Sequence, residues 1–329
     1  MEPLFILGVG RSGTSLLQSM FAAHPLVSML PETGFLRRYC LADNNYNRSD
    51  STGDSSETVG ALMQLWDGDE RLQRLPRICW EVAARHVAAK GFPARRQLVG
   101  LYRELLGSAV AECLVDRPNG AVPIYSGDKD PRLVEYVSVL FRFFPGGHVI
   151  HIVRDPRDVL LSKMRAQWSR DRHWFFHVLI GRIHLDFGSV IAPDLFRDRY
   201  HVVRYEDLIG DPEGTLQGLV DEIGLPFDPA MLSFSAAASR LGGGKTEEWK
   251  KETLGPLLSD NSEKWRRGLT PLQIRCVEYA SGRWMNRFGY QRRYSIGPVG
   301  WICGSIFSAG SLLYRLFRKV SLRKWRKVE

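Results

Sequence analysis

The sequence predicts an α/β fold, a central parallel sheet flanked by helices, interrupted by a helical insertion. Three observations predict it. Leu4-Phe5-Ile6-Leu7 is a short, wholly apolar run that passes through a glycine-rich stretch into a helical pattern, as a buried strand feeding a helix does. A second apolar run, Leu26 to Leu30, follows the helix break at His24-Pro25, completing a βαβ unit within about thirty residues. Past residue 120 the same alternation resumes, so strands and helices share one layered body.

Taken in order, Leu4 to Leu7 is the first strand, Gly8 to Gly13 its loop, Thr14 to Ala23 the helix, and Leu26 to Leu30 the second strand, ended by Pro31. From about residue 37 to about 120 the character changes. A polar stretch, Asp43 to Ser56, precedes helical patterns around Leu62, Val82 and Leu101, read as an insertion on the side where an acceptor would be chosen. A short strand is expected near Val122 to Tyr125, a helix over Pro131 to Phe144 and a strand over His148 to Val153. Asp155 as N-cap and Pro156 at the first helical position then open another helix. His201 to Arg204 and Pro212 to Ile223 give one more strand and helix.

With 329 residues and a 44% hydrophobic share, the chain suits one larger α/β domain, placed at 1–295, followed by a tail at 296–329. That tail holds seven of the 45 Lys and Arg but one of the 36 Asp and Glu, so the net charge of +9 is mostly its own. The body is then near neutral, which argues against nucleic acid as a partner. Ile296 to Tyr314 carries no charge but contains four glycines and a proline, a poor spanning helix. It is either an interfacial segment whose basic end, Arg315 to Lys327, meets anionic headgroups, or a helix packed on the body with a solvated end.

Cys40, Cys79, Cys113, Cys276 and Cys303 are far apart and match no metal-ligand spacing, so they read as reduced thiols. The apolar run Pro3 to Val9 is too short for a signal peptide and leads straight into the loop. Together these predict a cytoplasmic protein, peripheral at the inner face of a membrane if the tail is interfacial. His173, His177 and His184 lie at helical spacing but without HExxH, beside Trp174-Phe175-Phe176, so packed or cleft-lining histidines are expected rather than metal ligands.

Gly8-Val9-Gly10-Arg11-Ser12-Gly13-Thr14-Ser15 has the GxxxxG frame of a phosphate-binding loop between strand and helix, where successive backbone N–H groups and a helix N-terminus make an anion nest. In an ATP-type loop the second glycine is followed by a Lys for the β- and γ-phosphates and a hydroxyl for magnesium. Here that Lys position is Thr14 and the cation sits earlier, at Arg11. A second element, Val153 to Ser162, begins where a strand ends. Arg154 therefore shares the rim on which open α/β sheets bind ligands, and with Ser162 eight residues on it could hold a separate phosphate.

Across roughly residues 3 to 35 and 121 to 290, these motifs resemble the family of sulfotransferases that use 3′-phosphoadenosine 5′-phosphosulfate (PAPS). The resemblance implies a P-loop NTPase-like sulfotransferase fold in which Gly10, Arg11, Ser12, Gly13, Thr14 and Ser15 grip the 5′-phosphosulfate and Arg154 with Ser162 grips the 3′-phosphate. Gly10-Arg11-Ser12-Gly13-Thr14, His24-Pro25 and Glu32-Thr33 are most similar to the tyrosylprotein sulfotransferases and related bacterial enzymes. The likeness makes Glu32 the candidate base and Lys129, in Gly127-Asp128-Lys129-Asp130-Pro131, a second cation at the transferred group. Read from the residues alone, Glu32 sits past an apolar strand on the rim of the loop, where a carboxylate could take a proton, with a cap on a following helix as the alternative, and Asp130 could cap the helix that Pro131 opens. Tyr205, in Tyr205-Glu206-Asp207-Leu208, resembles a nucleotide contact and could also be a buried aromatic. Lys264, in Ser262-Glu263-Lys264-Trp265, resembles a residue that closes over the donor. Some relatives carry an Arg one turn after the Ser, where this chain has Ala166.

The resemblance implies sulfuryl transfer from PAPS to a hydroxyl or amine with release of 3′,5′-ADP, requiring no metal. Glycan, glycolipid, small alcohol and peptide tyrosine all stay open as acceptor. The rivals are a P-loop kinase or NTPase, which wants the Lys and a strand-end acid that Thr14 and Arg154 replace, and a non-catalytic nucleotide-binding protein held at a membrane by its tail.

Overall fold

Leu4 and Ile6 face one hydrophobic cluster and Phe5 and Leu7 face another, so the first strand is buried on both sides, as a central parallel strand must be. The computed structural model describes residues 2–41, 67–68, 72–75, 77–90, 98–115, 122–169, 171–241, 255, 257–258, 260–295 and 297–321. Within them lie β1 (Glu2–Gly8), β2 (Val27–Met29), β3 (Tyr125–Lys129), β4 (His148–Val153) and β5 (Tyr200–Arg204). They form one parallel sheet in the order β2-β3-β1-β4-β5. Ile6 lies opposite Lys129, Gly8 opposite Ile152, and Val153 opposite Arg204. The loops leaving β1, β3, β4 and β5 therefore open on one rim.

The flanking helices used below are α1 (Thr14–Ala23), α2 (Arg77–Lys90), α3 (Leu98–Val115), α4 (Val137–Phe143), α5 (Pro156–Arg165), α6 (Trp174–Asp186), α7 (Tyr205–Gly210), α8 (Pro212–Ile223), α9 (Pro271–Arg287) and α10 (Pro298–Ser321). On one face of the sheet α1 and α8 pack with Leu17, Met20, Phe21, Leu216 and Val220. On the other, α3 and α4 contribute Tyr102, Leu105, Val137 and Leu140. The Asp155 side chain accepts from Arg157 N with Pro156 in the first turn, and Asp211 accepts from Gly214 N at the start of α8, the capping that satisfies orphan donors at a helix start. Val82 and Leu101 lie in α2 and α3, whereas Leu62 and Asp43 to Ser56 lie outside the described residues.

Two elements differ from the sequence expectation. The strand expected near Val122 to Tyr125 runs instead over Tyr125–Lys129, and Val122 and Ile124 are exposed. A Ser-Gly-Asp-Lys segment can be an inner strand because its buried polar groups find partners, as set out below. The helix expected over Pro131 to Phe144 divides into a tight turn, Pro131–Tyr136, and α4. Within the tail, Pro298–Ser321 forms one helix, α10, packed on α9 and α6. Gly304 serves close approach, since a Cβ there would stand 3.2 Å from the Tyr279 carbonyl oxygen.

Candidate functional site

After β1 the chain needs two left-handed residues to turn into α1. Arg11 has φ 79° and Gly13 φ 100°, and Ser12 N donates to Val9 O at 3.0 Å. Gly13 is the N-cap of α1 and no side chain caps that end, so the first-turn N–H groups are available to an anion. A Cβ at Gly13 would stand 2.4 Å from the Tyr205 ring, while one at Gly10 would meet nothing within 4 Å. Of these two, Gly13 alone is demanded by packing. Ser12 is fully buried, and its Oγ has no hydrogen-bond partner among the described residues, an expensive state for a polar atom that a ligand oxygen would relieve.

Arg154, at the end of β4, turns back over this loop. Its guanidinium donates to Asn261 O at 2.7 Å and to Arg11 O at 3.4 Å, and lies 4.1 Å from the centroid of the Tyr205 ring. Its Nε is buried without a partner among the described residues. Arg11 Nε donates to Ser162 Oγ at 2.9 Å. Thus Arg154 and Ser162, the sequence-predicted 3′-phosphate pair, each touch the loop residue Arg11. Arg11, Gly13, Thr14, Ser15, Arg154 and Tyr205 line a cleft completed by Phe234, Leu257, Leu258 and Asn261. Two cations and a helix N-terminus on one side and an apolar wall on the other suit an anion attached to an apolar ring.

On the other side of the loop, the Lys129 ammonium donates to Ser15 Oγ at 3.2 Å and forms a short ion pair with Glu32 Oε2. Lys129 is buried and Glu32 partly exposed, so the carboxylate is the solvent-facing member. Just past Glu32, ahead of the helical turn Leu36–Leu41, Thr33 Oγ1 accepts from Phe35 N at 3.1 Å. Asp130 caps the turn after it by accepting from Arg132 N, and also accepts from Arg37 Nε at 2.7 Å. Next to Lys129, Asp128 accepts from the Tyr102 hydroxyl of α3 at 2.7 Å, and burial pushes its carboxyl up to about 7.

The structure therefore gathers Arg11, Ser12, Gly13, Thr14, Ser15, Glu32, Lys129, Arg154, Ser162 and Tyr205 around one loop. Lys264 is exposed just before the short helix Trp265–Gly268 and is not among the cleft-lining residues. Tyr205 satisfies both sequence readings, being buried and cleft-lining, with its hydroxyl accepting from Asn261 Nδ2 at 2.7 Å. Asn261, Phe234, Leu257 and Leu258 carry no motif and were invisible in the sequence. The histidines act separately: His173 caps α6 by accepting from Phe175 N, His177 bonds Ser169, and His184 bonds Glu135.

A family model described as the sulfotransferase family matches residues 3–229, from β1 through β5. A protein-tyrosine sulfotransferase of Drosophila melanogaster is 22% identical over 272 residues, covering 80% of this chain and 47% of the relative. Carbohydrate sulfotransferase 2 of Homo sapiens is 35% identical over 187 residues, covering 44% of this chain and 35% of the relative. The chain thus spans less than half the length of these two relatives. Among solved structures, the sulfotransferase domain of the Synechococcus PCC 7002 olefin synthase superposes with a TM-score of 0.62 at 22% identity, covering 90% of this chain and 96% of that one. A sulfotransferase domain from the curacin biosynthetic pathway gives 0.58 at 18% identity, covering 88% and 98%. Both show the same fold. With a family match that takes in the glycine loop, Glu32, Lys129, Arg154 and Ser162 together, this chain belongs to the sulfotransferase family.

Proposed function

We propose that the protein transfers a sulfuryl group from PAPS to an acceptor hydroxyl or amine and releases 3′,5′-ADP. The observation that carries this reading is the meeting of Arg11, Arg154 and Ser162 at one uncapped helix start, with unpaired buried donors at Ser12 and Arg154. A nucleotide with phosphates at both the 5′ and 3′ positions has an anion for each cation, and the apolar wall of Phe234, Leu257 and Leu258 can receive the base.

In the reaction, Glu32 takes the acceptor's proton as the acceptor oxygen bonds to sulfur. The sulfur–oxygen bond to the 5′-phosphate breaks and its electron pair goes to that phosphate. Arg11, Lys129 and the N–H groups of the loop oppose the charge that gathers there. Lys129 ties Glu32 to Ser15, so proton acceptor and phosphate loop are held in register. Nothing in this chemistry calls for a metal. The kinase reading is not favoured, because Thr14 stands where the loop lysine would be.

The names of the relatives, protein-tyrosine and carbohydrate sulfotransferases, support a hydroxyl acceptor, with peptide tyrosine, glycan, glycolipid and small alcohol as the classes to test. Among the described residues Cys79, Cys276 and Cys303 are in no disulfide, which supports a cytoplasmic setting. The donor is tested by thermal shift: stabilisation by 3′,5′-ADP without metal is expected, and stabilisation only by ATP or GTP with magnesium overturns the reading. Sulfur-labelled PAPS with cell extract then shows which fraction, lipid, polysaccharide or protein, takes the label.

A further inference from the structure

Helix α10 is amphipathic in the reverse sense to an ordinary surface helix. Apart from Phe307, its inward side is polar or small. Ser311 Oγ donates to Asp186 Oδ2 at 2.5 Å, Tyr314 OH donates to Glu135 Oε2 at 2.7 Å, and Arg318 stacks 4.3 Å from the Tyr136 ring with its Nε 3.6 Å from Glu135. Gly304 and the buried Phe307 complete that contact. The outward side carries Trp301, Ile302, Ile306, Leu313, Phe317 and Val320, between 58% and 71% exposed. At 100° per residue these fall within one broad face, where a soluble helix would place its charges.

Basic groups border this stripe. Arg315 and Lys319 lie along one edge, and together with Arg142 they rim an apolar hollow lined by Val139, Phe187, Ile191 and Leu316. Arg323, Lys324, Arg326 and Lys327 follow in the sequence. Apolar area edged by cations matches the boundary between acyl chains and anionic headgroups. A second copy of the chain would instead bring two basic edges together. Nor is α10 a membrane span: among the described residues the stretch long and apolar enough for that is Trp174–Arg199, mostly buried in the body, and the inward side of α10 is bonded to the protein.

We propose that α10 docks this protein on an anionic bilayer surface, with the helix in the plane of the membrane, the stripe in the headgroup–acyl boundary, and Arg315, Lys319 and Arg142 against the headgroups. The proposal stands independently of the acceptor and of the donor chemistry.

The test is co-sedimentation of the full chain with vesicles of phosphatidylcholine alone or with phosphatidylglycerol added. Partition onto the anionic vesicles should be at least ~10-fold stronger and fall as salt is raised. Replacing Ile306→Ser, Leu313→Ser and Phe317→Ser together should cut it ~10-fold or more with an unchanged thermal midpoint, since all three side chains are exposed. Arg315→Gln with Lys319→Gln should remove the preference for the anionic lipid. Equal binding to both vesicle types, or a triple variant that binds like the parent, overturns the proposal. So does a dimer in solution that the triple variant abolishes, which would give the stripe to a second copy.

Discussion

Arg11 Nε donates to Ser162 Oγ at 2.9 Å, so the cation of the glycine loop and a hydroxyl within α5 are joined. If Arg11 acts on the leaving phosphate, Arg11→Ala lowers turnover by about 10²- to 10³-fold. Ser162→Ala removes one hydrogen bond, worth about 1 kcal/mol, and raises the dissociation constant for 3′,5′-ADP by roughly 5- to 10-fold. Calorimetric titration of both variants with 3′,5′-ADP, beside steady-state rates, checks the pair. A Ser162→Ala protein with parental nucleotide affinity removes Ser162 from the site.

Glu32 and Lys129 separate proton transfer from charge stabilisation. Glu32→Gln keeps the shape and loses the base, so turnover falls by about 10²- to 10⁴-fold with little change in donor KM. Lys129→Ala removes the partner of both Glu32 and Ser15 and lowers turnover while raising donor KM. Initial rates over a matrix of donor and acceptor concentrations give the split. A Glu32→Gln enzyme of near-parental turnover shows that another group takes the proton.

Asp128 gives stability a pH dependence. Burial raises its carboxyl to about 7 from an ordinary 3.8, so between those values the folded chain keeps a proton that the unfolded chain has lost. Its contribution to stability is therefore present below about pH 4 and falls as pH rises toward 7. Asp128→Asn can still accept from Tyr102 and lacks the titration, so it should gain on the parent by up to about 4 kcal/mol across that range. Urea unfolding of both proteins at pH 5 and at pH 8 measures the difference. Parallel pH profiles refute it.

Gly10 and Gly13 should respond oppositely to a methyl group. Gly13→Ala forces φ 100° on an L residue and drives its Cβ to 2.4 Å from a buried Tyr205, costing about 3 kcal/mol or more. Gly10→Ala meets no atom within 4 Å and should leave the thermal midpoint nearly unchanged. Equal melting of the two variants contradicts the packing described for the loop.

The sheet was legible wherever a strand was apolar on both faces, as in Leu4 to Leu7 and His148 to Val153, because continuous hydrophobic runs have few other places to go. β3 was misplaced toward Val122 for the same reason. Its own residues, Ser126 to Lys129, look like a loop until Tyr102, Glu32 and Ser15 arrive from distant parts of the chain to partner Asp128 and Lys129. In the site, Arg11, Glu32, Lys129, Arg154 and Ser162 were readable as motif positions with fixed spacing. Asn261 was not, since it acts by a backbone carbonyl on Arg154 and a side-chain amide on Tyr205, and a backbone carbonyl leaves no trace in residue identity. The tail presented two alternatives, packed or interfacial. An inward polar side and an outward apolar one let α10 be the first while keeping the surface required for the second.

The contact between Gly13 and Tyr205 also restricts the order in which this chain can change. While the ring occupies that space, any side chain at position 13 collides with it; a smaller residue at 205 would first have to open the space, and would give up the stacking under Arg154. Opening that space does not by itself free position 13, since Ile152 Cδ1 would stand 3.2 Å away and φ stays at 100°; descendants of this chain should retain the glycine for as long as they retain the aromatic.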